Sequence, residues 1–320
     1  MTKWPDALQK LLLSCLLIFL IGCSSTPMQY RYLDSQTLSD VELTNTPFYP
    51  QDEFQCGPAA LATVLNVAGV DDATPETLKP QVYLPEREGS LQSELLGAAR
   101  RAERIPYVIR PQLADLFKEV EAGNPVLVLQ NLGFARWPIW HYAVVIGYNP
   151  RRNEVILRSG TTERETMSLR AFEHSWRGGN YWAMVVPALG ELPATAEPIR
   201  YFAAIAAQEQ QGRFELAEAS YRLAMERWPS EYMAPFGLGN IAFQQGRFSE
   251  AEFYYYKASE IAAEEPAIFF NLAWALVRQN RGEEALLAAE IAQMLAPEHA
   301  RYGASVEIIS NAVNQTTRSH

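Results

Sequence analysis

The sequence predicts two units in series, an α+β unit followed by an all-α unit. Three observations carry this. Up to Pro187, helical patterns are followed by four short runs of β-branched and aromatic residues; after Pro198 the strand signals vanish and helical spacing recurs with a fixed period. Between them, "PALGELPATAEP" (Pro187–Pro198) concentrates proline and small residues in the manner of an interdomain linker. A chain of 320 residues, 48% hydrophobic, is long enough for two cores of ordinary size.

The formal net charge of −10 excludes some functions. An electrostatic grip on nucleic acid or on anionic headgroups needs clustered Lys and Arg, so nucleic acid is not an expected partner.

Lys3 and Lys10 flank a polar start. Leu11–Ile21 is then apolar apart from Ser14 and Cys15, and Gly22-Cys23 follows. The apolar run is about half of the roughly 20 residues a spanning helix needs. The pattern resembles a bacterial lipoprotein signal over 1–22, which implies a lipid on Cys23 as the first mature residue. No Asp follows Cys23. The resemblance therefore implies a lipid-anchored protein of the cell envelope, on the outer membrane and facing the periplasm. An uncleaved anchor helix is the other reading. Residues 23–46 are polar and read as a tether. Cys15 leaves with such a signal and Cys23 carries lipid, so Cys56 has no partner for an internal disulfide. A lone thiol in an oxidising compartment calls for burial or a role.

The first unit is expected over 47–187. Gly57–Ala68 reads as a helix, with Pro58 in its first turn and Gly69 as its stop. Ser90–Arg101 reads as a second helix with a serine cap, and Gln112–Ala122 as a third, ended by Gly123. "PVLVLQNL", "HYAVVIGY", "EVILRS" and "YWAMVV" then read as strands of an antiparallel sheet, with "YNPRRNE" as a hairpin turn. The linker covers 188–198.

In the second unit, 199–315, "QQGRF" recurs at Gln210 and Gln244, 34 residues apart. The same phase joins Ala217, Ala251 and Ala285, and again Ala224, Ala258 and Ala292. Small residues suit the close crossing of two antiparallel helices, and Gly212, Gly246 and Asn280 suit left-handed turns between them. The period is that of tetratricopeptide repeats. Three repeats are expected over about 198–299, closed by a helix from Arg301 to Val313.

A free cysteine is most often a small buried hydrophobe. Cys56, however, sits just before a predicted helix, whose N-terminal dipole and free N–H groups favour a thiolate and can hold an oxyanion. A thiol nucleophile needs a base. His320 is the last residue of the sequence, His299 belongs to the repeats, and His174 lies in the helical "RAFEHSW". His141 opens a strand after the aromatic loop "RWPIW" and is the better candidate, with a half-buried strand-edge histidine as the alternative. Trp137, Pro138 and Trp140 beside it either line a cleft or pack.

"Q-x(4)-CGPAALATVL", "HYAVVIGYN" and "SLRAFEHSWRGGNYWAMVV" together resemble the bacteriocin-processing, double-glycine-leader cysteine peptidases, a compact branch of the papain-like superfamily. The resemblance spans Pro47–Pro187. It implies a papain-like α+β fold with Cys56 as nucleophile, His141 as base and Gln51 as oxyanion donor. Two departures stand out. Gln51 lies five residues before the cysteine where the family has six, leaving Gln55 as an alternative. The strand after the histidine strand lacks the family's Asp: Arg158 or Ser159 stands there, and Ser159 is the plausible acceptor for the imidazole, or else a plain turn residue.

The expected function is a membrane-tethered cysteine peptidase acting on a peptide or protein through a thioester, with a protein partner in the repeat groove and the membrane reached through the lipid alone. A non-catalytic peptide-binding scaffold and an acyl transferase using the same thioester are the alternatives. No metal-ligand cluster or phosphate cradle is legible, so no cofactor is expected. Nor does any segment read as an ATP-driven exporter, so bacteriocin export is not implied.

Overall fold

In the computed structural model, residues 28–32, 39–50 and 55–318 are described. The proposed signal peptide over 1–22, Cys23 and Gln51 lie outside them. No helix among the described residues is long and apolar enough to cross a membrane.

The first unit is a three-layer α+β structure. Its antiparallel sheet comprises β1 (Val41–Glu42), β4 (Tyr107–Val108), β5 (Val126–Asn131), β6 (Trp140–Asn149), β7 (Glu154–Ser159), β8 (Thr162–Ser168) and β9 (Ala183–Val185). The strand order is β4-β9-β5-β6-β7-β8, with β1 added beside β6. Side chains alternate across a strand, so the central strands carry two apolar faces. Leu127, Leu129, Tyr142, Val144 and Ile146 face the core formed by α1 (Cys56–Val67), α2 (Pro75–Val82) and α3 (Gln92–Arg101). Val126, Val128, Ala143 and Val145 face α4 (Leu113–Glu121) and α5 (Leu169–Gly178). Burial on both faces gives these strands unbroken apolar runs. The register of β6 against β7 shifts between Val145 and Gly147. A Cβ on Gly147 would stand 2.4 Å from the Val41 carbonyl oxygen, so glycine is what lets β1 approach.

Several expectations are corrected here. Part of the stretch read as tether belongs to this unit: β1 pairs with β6, and a short 3-10 turn, Gln29–Tyr32, is held by the buried Glu173 carboxylate, which accepts from the Gln29 and Tyr30 amides. Polar composition hid two strand residues and a docked turn. The second helix begins at Gln92, not Ser90, and has no side-chain cap. Ser90 ends a small hairpin of β2 (Tyr83–Leu84) and β3 (Gly89–Ser90), which has no sequence signal beyond Gly89. Helix α2 was also not anticipated; its Thr74 cap and Pro75 are ordinary start signals. Nor was β8, whose "TERETMS" is mostly exposed and pairs with β7 through the backbone.

The second unit contains three helix pairs: α6 (Pro198–Glu209) with α7 (Phe214–Arg227), α8 (Met233–Gln244) with α9 (Phe248–Ile261), and α10 (Pro266–Val277) with α11 (Gly282–Leu295). Helix α12 (Ser305–Arg318) closes the stack and begins later than the expected Arg301. The phased alanines 217, 251, 285, 224, 258 and 292 are all fully buried. The turn residues Gly212, Gly246 and Asn280 have φ of 75°, 76° and 58°, the left-handed geometry their identities suggested. Tyr221 and Tyr255, also one repeat apart, abut Gly237 and Gly239 of α8, where a Cβ would come within 2.3 and 2.6 Å of the rings.

The linker over 188–198 is docked rather than free. Glu119, fully buried on α4, accepts from the Thr195 amide at 2.8 Å, the Ala194 amide at 3.1 Å and Asn124 Nδ2 at 2.8 Å. Tyr107 Oη donates to the Thr195 carbonyl and accepts from the Glu197 amide. Gln208 of α6 donates to the Arg104 carbonyl. Tyr201, Phe202 and Ile205 extend the core of the first unit into the first repeat. Removing one partner of a buried polar network strands the others without water. Glu119→Ala is therefore expected to cost about 3 kcal/mol in urea unfolding, more than Tyr107→Phe at about 1 kcal/mol. Equal midpoints for Glu119→Ala and the wild type would show that the joint does not depend on this carboxylate.

Candidate active site

Helix α1 places Cys56 as its first residue. Gly57 to Leu65 are all buried, which holds the helix against the sheet. Gln55 provides no side-chain cap, so the first N–H groups of α1 are not occupied by a capping residue. The half-buried Cys56 sulfur is approached by the backbone N–H of Tyr142, and then by those of Gly57 and Cys56 itself. Tyr142 directly follows His141 on β6, so the thiol lies against the strand that carries the imidazole.

His141 is half-buried, and its Nε2 lies 3.0 Å from Ser159 Oγ. Ser159 is the buried last residue of β7, not an exposed turn residue. Arg158 takes no part: its guanidinium is buried and donates to the Thr46 carbonyl at 2.8 and 3.2 Å and to the Glu163 carbonyl at 2.5 Å. It thereby ties down the segment that leads to the cysteine. His174 is exposed on α5, and His299 is exposed beyond α11. Neither lines the cleft.

Cys56 and His141 share a cleft of about 830 Å³. One wall is Arg87 to Gln92, from the β2–β3 hairpin and the start of α3. The other is Pro138 to Tyr142, and Leu129, Gly160, Gly179 and Asn180 complete it. Trp140 and Pro138 line this cleft. Trp137 is 72% exposed, so the loop aromatics are not core packing. Sequence reasoning missed three supports. Ser90 presses on Gly57, where a Cβ would meet its Oγ at 2.3 Å, and that buried Oγ has no hydrogen-bond partner among the described residues. Gly179 abuts the Leu129 carbonyl, which a Cβ would approach to 2.1 Å. The Tyr142 amide serves the sulfur. The glycine pair in "RGGNYW" was the one available signal; contact with Ser90 and the Tyr142 amide has none at the level of sequence.

The electrostatics correct one expectation. The helix terminus was expected to lower the Cys56 pKa. Burial instead pushes the thiol up, and the three backbone N–H groups offset only part of this. Burial likewise pushes His141 below its ordinary value, with a smaller opposing pull from Glu165. Both shifts favour a neutral thiol beside a neutral imidazole. If Ser159 accepts the Nε2 proton, Nδ1 is left as the basic nitrogen. That arrangement suits general-base activation of the thiol rather than a standing thiolate–imidazolium pair.

Comparison with known proteins agrees with the fold. Residues 43–184 match the Peptidase_C39 like family. Residues 202–266 and 242–306 match tetratricopeptide repeat families. A putative C39-like peptidase from Bacillus anthracis is similar at 20% identity over 47% of this chain and 98% of its own, with a TM-score of 0.39. The type III secretion translocator chaperone SycD of Yersinia enterocolitica is similar at 18% identity over 38% of this chain and 83% of its own, with a TM-score of 0.34. The TPR2B domain of yeast Sti1, in its complex with pHsp70, is similar at 15% identity over 38% of this chain and 98% of its own, with a TM-score of 0.34. No curated protein matches the chain. The chain thus carries a C39-like domain of papain-like α+β fold followed by an all-α tetratricopeptide-repeat domain.

A raised thiol pKa makes a pH-dependent prediction. Only the thiolate is alkylated, so the midpoint of the pH profile for Cys56 alkylation by iodoacetamide should lie above the ordinary thiol value of about 8.5. A midpoint below that value would show a resting ion pair in place of the neutral one.

Proposed function

We propose that the C39-like domain is a working cysteine peptidase that cleaves an extended peptide or protein segment in the cleft shared by Cys56 and His141. The observation that carries this is that the thiol, the Tyr142 residue whose amide approaches it and the imidazole line one open cleft, with the imidazole bonded from behind through Nε2 to the buried Ser159. The likeness to the double-glycine-leader type rests on the order of these same motifs along the chain.

In the proposed reaction, His141 Nδ1 takes the thiol proton as Sγ bonds to the scissile carbonyl carbon. The oxyanion sits at the start of α1, where backbone N–H groups converge, with Gln51 as the side-chain donor. The amide C–N bond breaks as His141 returns the proton to the leaving amine. Water, deprotonated by the same imidazole, then hydrolyses the thioester. Ser159 acts as a positioning residue for His141. A hydroxyl sets the tautomer but stabilises the imidazolium less than a carboxylate, which makes for slower turnover than an Asp would give.

The segment over 1–22 serves as a lipoprotein signal that is removed, and lipid on Cys23 tethers the domain to the envelope at the periplasmic side of the outer membrane. The repeats supply a docking surface for a protein or peptide partner. Between α8 and α10, Asn240, Gln244 and Asn271 stand beside Phe243, Tyr255 and Trp274, offering amides and rings suited to an extended chain.

A second reading, a peptide-binding scaffold without turnover, is favoured by the hydroxyl at Ser159 and by the neutral thiol. Turnover decides between them. With a quenched peptide library, Cys56→Ala should abolish cleavage, His141→Ala should lower kcat by about 10²–10⁴, and Ser159→Ala by about tenfold. Binding of peptides without cleavage or a trapped thioester in the wild type would establish the scaffold.

A further inference from the structure

The loop between β5 and β6 lends Pro138, Ile139 and Trp140 to the cleft, but its tip, with Phe134 and Trp137, lies outside that lining. Leu132, Phe134, Trp137, Ile139 and Trp140 are 48%, 79%, 72%, 62% and 54% exposed, the densest group of exposed large apolar residues among those described. The loop is not a slack one. Phe134 and Trp137 exchange two backbone hydrogen bonds of 3.1 Å, the Leu132 amide donates to the Ile139 carbonyl, and Asn131 Oδ1 accepts from the Gly133 and Ile139 amides at 3.0 Å each. A Cβ on Gly133 would meet the Trp137 carbonyl at 2.4 Å, so the hairpin closes on glycine. The fold thus builds a preformed tip that holds apolar side chains in water. Contiguous exposed patches of this kind mark an interaction surface.

Two features identify the occupant. The first is composition: the stretch Leu132–Trp140 has no carboxylate and one cation, Arg136, in a chain of net charge −10. Tryptophans with a long cation at the edge of an apolar tip are what a bilayer interface selects, because the rings sit at headgroup depth while the guanidinium reaches phosphate. The second is where the chain enters the domain. Met28 Sδ lies 3.9 Å from Arg177 Nη1 in the last turn of α5. The next residue, Gly178, abuts Asn131, the residue that pins the loop; a Cβ there would be 2.8 Å from Asn131 Cβ. The entry point of the N-terminal segment and the apolar tip therefore share one end of α5. Only five residue steps separate Cys23 from Met28, at most about 17 Å of extended chain.

We propose that the Leu132–Trp140 loop inserts into the lipid bilayer interface, so that the domain rests on the membrane with its cleft, lined by Pro138 to His141, opening at the lipid surface. This rests on the reading of the N-terminus as a membrane anchor. It goes beyond that reading, because the membrane is engaged by the folded domain as well as by the lipid. The substrates reached would then be segments that emerge from the bilayer.

The test uses the full-length processed protein reconstituted in phosphatidylethanolamine–phosphatidylcholine vesicles with brominated acyl chains. Trp137 and Trp140 are the exposed tryptophans among those described, so they dominate quenching by lipid. The expected result is that wild-type emission is quenched, that Trp137→Phe/Trp140→Phe loses the quenched component, and that both proteins float with the vesicles. Flotation without tryptophan quenching would overturn the insertion while leaving the anchor in place. Failure to float would overturn both. A Phe134→Ser/Trp137→Ser variant that raises KM for a soluble peptide, with no quenching in the wild type, would assign the loop to the substrate's own apolar side chains instead.

Discussion

The site depends on one contact, the start of α1 against β6. The Tyr142 amide points at the Cys56 sulfur, and the residue before it is His141. Everything around that contact serves to keep it in place. Strand β6 is paired on both long edges, with β5 and with β7, and its Tyr142, Val144 and Ile146 pack into the core beneath α1. A strand fixed by two ladders and by burial on both faces has little freedom to slip, since a shift of one residue would break both ladders and exchange the side chains fitted to two different cores. Ser90 against Gly57 closes the remaining side of the helix terminus.

The same burial that gives the site its precision sets its resting charge state. Desolvation acts on Cys56 and His141 in opposite pKa directions, and both favour the uncharged form. In the proposed reaction, starting from a neutral pair would put the charge separation into the transition state, where a preorganised helix terminus is most useful. At the end of β7, Arg158 presents a buried guanidinium to the Thr46 and Glu163 carbonyls, while the neighbouring Ser159 meets the imidazole.

The repeat domain is joined to the first by a continuous core rather than a hinge. Tyr107 and Tyr201 pack across the junction, while Glu119 satisfies the linker amides from inside the first domain. A partner held by the repeats would thus be held at a defined position relative to the C39-like domain, with little conformational entropy lost at the joint.

The sequence by itself determined the period-34 array, down to Asn280 in the left-handed turn, because close helix crossings and positive φ admit few residue types. It also marked four of the sheet's strands, since burial on both faces demands unbroken apolar runs, and it named Cys56, His141, Ser159 and Gln51 as site candidates, of which the first two line one cleft, Ser159 meets the imidazole and Gln51 lies outside the described residues. Tertiary structure decided the rest. β8 is legible only through its backbone pairing with β7, and β1 only through its pairing with β6; the polar, mostly exposed run of the one and the two-residue length of the other leave no periodic trace. The direction of the Cys56 pKa was decided by the balance of burial against three N–H dipoles, a balance of distances that no motif encodes. The aromatic loop was visible as "RWPIW", but its exposure follows from a hairpin closed by Gly133 and Asn131, and its place beside the chain's entry point from how α5 packs on β5. Local geometry leaves a mark on residue type; relations between distant elements do not.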